Sequence, residues 1–123
     1  PLAPAVRNFM LNFTITNLRF TPDLAMPNSQ KFKSAENVMY YYVDNLFQKS
    51  SIGPAYVGCK IMAFRSKKNR HDTGVDALCS YRDESSGPKF NRVILYQELS
   101  NMTNGITKLG QYSLNSQSLH VDG

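Results

Sequence analysis

Apolar and polar residues alternate strictly over Leu11-Asn12-Phe13-Thr14-Ile15-Thr16. A period of two belongs to a strand with one buried and one wet face, so a first strand is predicted over residues 9–17, with Asn12, Thr14 and Thr16 outward. The parity fails at Leu18 and Phe20, which ends or bulges the strand near Asn17. Pro22, Pro27 and Asn28-Ser29 make residues 21–33 a loop with a short turn. The period then changes. Met39, Tyr42, Val43, Leu46 and Phe47 recur at spacings of three and four, which predicts a helix. Ser34 is its expected N-cap, Glu36 opposes the dipole in the first turn, and the end falls near Lys49. Of Tyr40-Tyr41-Tyr42, one is expected in the core and two as amphipathic surface residues.

Two further alternating runs follow. Cys59, Ile61 and Ala63 face opposite to Lys60, Met62 and Phe64 within residues 56–65. Val75, Ala77, Cys79 and Tyr81 do the same within 75–82. The polar stretch between them makes this a hairpin with a long tip. A second helix is predicted over 91–104, with Leu95, Tyr96, Leu99 and Met102 as its apolar stripe and Gly105 as the C′ terminator. Ile106 and Leu109 form a packed tail, and Leu119 and Val121 mark a last strand over 118–122. The order β-α-β-β-α-β is the split βαβ plan. The expected fold class is therefore α+β, a ferredoxin-like open-faced sandwich with a four-stranded antiparallel sheet and two helices. Residues 1–7 are expected as a linker and 8–123 as the domain.

The hairpin makes a specific statement about the two cysteines. If it is symmetric about Asn69, Cys59 lies opposite Cys79, Ile61 opposite Ala77, and Ala63 opposite Val75. Directly opposed Cβ atoms on antiparallel strands are about 4.5–5.5 Å apart, within reach of a disulfide after small adjustment. The alternative is a reduced core pair in a cytosolic protein. Structural zinc would need two more ligands, and no C-x-x-C or H-x-x-x-H context exists, so no metal or other cofactor is expected.

Composition adds bounds. A chain of 123 residues, 41% of them hydrophobic, fits one domain with one core. No apolar run approaches the ~20 residues of a membrane-spanning helix. No basic start leads into an apolar block, as expected for a mature piece cut from something longer. The net charge of +5 is a weak pointer to an acidic partner. Arg65, Lys67, Lys68 and Arg70, with His71, form the one basic cluster. It reads either as a contact for acidic glycans or as a solvated loop. No aromatic interleaves it, and no nucleic acid is expected as a partner. Catalytic signals are absent: there is no G-x-S-x-G and no phosphate-binding glycine loop. His71 and His120 read as surface or edge residues.

Asn12-Phe13-Thr14 and Asn101-Met102-Thr103 are acceptors for N-glycosylation. With 11 Asn and 18 Ser or Thr in 123 residues, chance supplies about 1.6 such matches, so placement has to carry the argument. Asn12 falls on the wet side of the first strand. Asn101 falls nearly opposite the apolar stripe of the second helix at 100° per residue.

The strings Asn12-Phe13-Thr14-Ile15-Thr16-Asn17-Leu18, Tyr56-Val57-Gly58-Cys59, Gly74-Val75-Asp76-Ala77-Leu78-Cys79 and Leu95-Tyr96-Gln97-Glu98-Leu99-Ser100 together resemble the SEA domain. Leu109-Gly110-Gln111-Tyr112-Ser113-Leu114 and Ser118-Leu119-His120-Val121-Asp122-Gly123 fit the same pattern. The likeness covers nearly the whole chain after about Asn8. The cysteine pair narrows it to SEA domains that stand in tandem in a large cell-surface mucin. The resemblance implies a ferredoxin-like fold, a glycosylated extracellular setting in the ectodomain of a plasma-membrane mucin, and no enzymatic turnover. Implied partners are neighbouring SEA domains and carbohydrate-reading or mucin-binding proteins such as galectins or mesothelin, without direct membrane insertion. Cleaving members break their own backbone between a Gly and a Ser, whose hydroxyl attacks the glycine carbonyl in an N-to-O acyl shift. Here Gly74 matches the glycine, but Val75 stands where the hydroxyl belongs, so this site is expected to be degenerate.

Overall fold

The computed structural model describes residues 5–68 and 72–123. Residues 1–4 of the expected linker and the hairpin tip at Asn69, Arg70 and His71 lie outside them. Six strands are present among the described residues: β1 (Ala5–Ile15), β2 (Tyr56–Ser66), β3 (Thr73–Asp83), β4 (Lys108–Leu109), β5 (Tyr112–Ser113) and β6 (His120–Asp122). Two helices, α1 (Gln30–Gln48) and α2 (Arg92–Met102), join them. The main sheet has the order β2-β3-β1-β6 and is antiparallel throughout. This is the expected ferredoxin-like α+β sheet, with an additional β4–β5 hairpin.

β1 begins at Ala5, four residues before the predicted start. Residues 5–7 therefore belong to the sheet rather than to the linker. Ala5 pairs with Asp83, Val6 with Arg82 and Arg7 with Tyr81, and Arg7 Nε donates to Asp83 Oδ2 at 2.6 Å. Cross-strand pairing extended the strand where side-chain alternation gave no signal.

α1 also begins earlier than Ser34. Its N-cap is Ser29, whose Oγ accepts from the amide of Phe32. The extra turn buries Phe32, whose ring lies edge-on to Phe64 at 5.3 Å. Phe32, Ala35, Met39, Val43 and Phe47 form the buried stripe, while Tyr42 and Leu46 are half-buried. Of the three tyrosines, Tyr41 is exposed. Tyr40 and Tyr42 are half-buried, so two of the three lean on the core rather than one. Tyr40 Oη accepts from the Ile61 amide. Tyr42 Oη accepts from the Gln111 amide.

In the hairpin, Cys59 faces Cys79 and Ile61 faces Ala77 as expected, but Ala63 faces Asp76 and Phe64 faces Val75. A bulge between Ile61 and Ala63 shifts the register and turns Phe64 rather than Ala63 to the core, where Phe64 is buried. The larger side chain gains the most from burial.

α2 spans 92–102 and is capped by Asn91, whose Oδ1 accepts from Val93 and Ile94. Leu95 and Leu99 are buried; Tyr96, expected in the stripe, is exposed. The left-handed terminator is Asn104 (φ 56°), with Gly105 (φ 77°) one place later. The Gly105 amide donates to Ser100 O at 2.7 Å and that of Asn104 to Asn101 O at 3.4 Å, the bond pattern of a Schellman cap. Ile106 also has a positive φ of 60°, which is strained for a β-branched residue. Its burial at 3% exposure holds it there. Ile106 and Leu109 are buried as expected, Leu109 within the β4–β5 hairpin. Gly110 (φ 58°) turns it against Tyr42, leaving no space for a Cβ.

The core lies between the helices and one sheet face. At its centre, Phe9 contacts Phe47 edge-on at 5.5 Å and Phe90 at 5.0 Å, and Phe90 stacks on Tyr81. Phe9→Ala should cost about 3–5 kcal/mol in a urea titration. Ser29→Ala should cost about 1 kcal/mol, whereas Ser34→Ala, on the exposed helix surface, should be near neutral; an equal cost at both would contradict the observed cap.

Candidate functional site

The cysteine pair is the best-built feature. Cys59 and Cys79 form a disulfide across directly paired positions, with Cα atoms 3.9 Å apart and a sequence separation of 20. Cys79 is fully buried and Cys59 half-buried on the core side. Tyr56, at the start of β2, closes over it. Its ring stacks on Phe47 at 5.2 Å, and its hydroxyl is shared between Cys59 Sγ at 3.2 Å and the Asp44 carboxylate of α1. Burial, then the hydrogen bond to Asp44, push the Tyr56 phenol well above its ordinary value of 10.0.

Gly74 and Val75 sit near the start of β3. Gly74 pairs with Thr14 on one side and Arg65 on the other. Val75 is 1% exposed and belongs to the core. The adjacent Thr73 is fully buried, and its hydroxyl donates to Leu18 O at 2.5 Å. The peptide after Gly74 therefore has an aliphatic side chain beside it, and the hydroxyl of the preceding Thr73 is already engaged.

The outer sheet face is less open than alternation suggested. Asn12 is half-buried and Thr14 buried. The reason is the segment after β5, which lies along the end of β1. The Asn115 amide donates to Thr14 O, and the Thr14 amide donates to Ser118 Oγ at 2.9 Å. Asn12 Nδ2 donates to Asp76 Oδ1 at 2.6 Å. Arg65 Nε pairs with Asp76 Oδ2 without the alignment of a hydrogen bond. A polar cavity of about 150 Å³ opens here, lined by Asn12, Thr14, Lys67, Asp76, Ser118 and His120. Hydropathy could not reveal it, because it depends on a loop folding back from 100 residues away.

Asn101 is exposed on α2, and the hydroxyl of Thr103 donates to Leu99 O at 2.6 Å. Of the basic cluster, Arg65, Lys67 and Lys68 are exposed. Arg65 is engaged by Asp76, Lys67 folds over Gly74, and Arg70 lies outside the described residues. Glu98, which the sequence reading passed over, accepts from the amide and hydroxyl of Ser51 at 2.9 and 2.7 Å and so ties α2 to the α1–β2 connection.

These features define a disulfide-clamped, ferredoxin-like α+β domain. The SEA domain family model matches residues 7–115, and the chain belongs to that family. SEA domains are typically extracellular and generally non-catalytic structural modules. No helix among the described residues is long and apolar enough to cross a membrane.

Two outcomes test this geometry. Replacing both cysteines by Ala should lower stability by about 3 kcal/mol, the loop-closure value for a loop of this size, measured by denaturant unfolding. Tyr56 should ionise above the ordinary tyrosine range in a titration at 295 nm. A raised folded pKa means that its contribution is fully present below the ordinary tyrosine value and is lost as pH rises through the higher folded value. The domain should therefore lose stability above about pH 10, and Tyr56→Phe should flatten that loss.

Proposed function

We propose that this domain is a non-enzymatic structural module in the ectodomain of a cell-surface mucin, similar to the tandem SEA domains of mucin 16. It folds compactly, spaces O-glycosylated stretches and presents N-glycans at Asn12 and Asn101. In that role it serves epithelial barrier protection and glycan-mediated adhesion. Its partners are neighbouring SEA domains and glycan- or mucin-reading proteins of the galectin or mesothelin kind. The observation that carries the reading is the Cys59–Cys79 disulfide, a crosslink that persists in oxidising compartments and is rare in the cytosol. The exposure of Asn101 supports glycan presentation.

Self-cleavage as a mechanical break point is disfavoured by the chemistry at Val75. An N-to-O acyl shift needs a hydroxyl on the residue after the scissile carbonyl, and valine has none. The reading as a basic module for acidic glycans loses Arg65 to Asp76.

Intact mass of the domain secreted from mammalian cells, before and after glycan removal and reduction, tests the proposal. The expected result is one unbroken chain, a gain of two hydrogens on reduction, and glycan mass on both asparagines. Two fragments after reduction would favour the break point. A secreted chain without glycan and with two free thiols would sink the extracellular assignment.

A further inference from the structure

We propose that the outer-face cavity beside Asn12 seats the first sugar residue of the glycan that Asn12 itself carries. This rests on the glycan-bearing reading above and adds a binding site to it. Attachment replaces one Nδ2 proton with the anomeric carbon of N-acetylglucosamine, whose lipid-linked diphosphate leaves. The other Nδ2 proton remains for Asp76.

Three observations converge. Asn12 Nδ2 is not free to sweep the surface, because its bond to Asp76 Oδ1 at 2.6 Å fixes the amide. Asp76 is itself 8% exposed, and its Oδ2 lacks a hydrogen-bond donor among the described residues despite the ion pair to Arg65. The cavity that Asn12 lines holds about 150 Å³, room for several water molecules. Its walls are the kind a sugar uses: a lysine ammonium, an imidazole, a serine hydroxyl and a carboxylate. Lys67 lies over Gly74 because that residue has no side chain: a Cβ there would come within 2.6 Å of Lys67 Cε. Gly74 therefore leaves space for the lysine that forms one wall. Exposed Asn101 lines neither this cavity nor the one that runs along α2 past Arg92, Tyr96 and Gln97. The prediction is asymmetric: the sugar on Asn12 is held by the protein and the sugar on Asn101 is not.

The test uses Asn101→Gln protein made in two ways. One form is secreted from mammalian cells with high-mannose glycans and trimmed enzymatically to a single N-acetylglucosamine. The other is secreted to a bacterial periplasm, where the disulfide forms but no sugar is attached. Lys67→Ala and His120→Ala are made in both forms and their melting temperatures measured. With the sugar present, each substitution should lower the midpoint by about 3 °C or more. Without it, each should change the midpoint by less than about 1 °C. Equal shifts in the two forms would overturn the seat while leaving glycan presentation intact. A mass showing Asn12 bare would overturn both the seat and glycan presentation at Asn12, and is read before any melting curve is taken.

Discussion

The register of β3 between its two neighbours is the constraint on which the rest of the structure depends. β3 pairs with β1 over all eleven residues, Thr73–Asp83 against Ala5–Ile15, and with β2 on its other side. A one-residue slip would send Val75, Ala77, Cys79 and Tyr81 to the outer face together. It would also separate the two sulfurs and bring Asp76 into the core. The covalent bond between Cys59 and Cys79 excludes that slip on the β2 side, and the bulge after Ile61 then aims Phe64 inward without disturbing it. Stability and register are thus set at one place, in the central strand.

The outer face follows from the same register. Asn12, Asp76 and Ala63 fall in line across three strands, and Thr14, Gly74 and Arg65 in the next line on the same face. The ion pair of Arg65 with Asp76 and the hydrogen bond of Asn12 to Asp76 arise because paired strands deliver them side by side. Asp76 accounts for the unusual arrangement of a buried carboxylate on a sheet face that is otherwise half wet. Its position between an amide donor and a guanidinium offsets the cost of removing it from water.

Much of this was legible in the sequence where side chains alone determine the outcome. Alternation identified β3 and the core side of β1, and the distance of each cysteine from Asn69 gave the crosslink. The apolar stripe of α1 was read at Met39, Val43 and Phe47. Other features depended on partners distant in the chain. The first four residues of β1 carry no alternation and are held by pairing with β3. Ser29 caps α1 because Phe32 finds Phe64, a contact no local window contains. Tyr96 lies at a stripe-like spacing, yet it stays exposed beside the edge strand β6. At the candidate site, Gly74, Val75 and both acceptor asparagines were visible as residue types. The cavity was not, since it is closed by residues 115–120 returning over β1.

The position of β6 has a mechanical consequence. β1 and β6 are adjacent and antiparallel, so the start of β1 and the end of β6 lie toward the same end of the sheet. Tension entering at Ala5 and leaving at Asp122 opens their three residue pairs one at a time, as a zipper does, instead of shearing them all together. β6 is then the compliant element and peels at low force. The crosslinked hairpin behind it keeps roughly 70 Å of chain, 20 residues at full extension, from ever paying out. The domain yields a little slack early, and the hairpin alone keeps its length however far the rest extends.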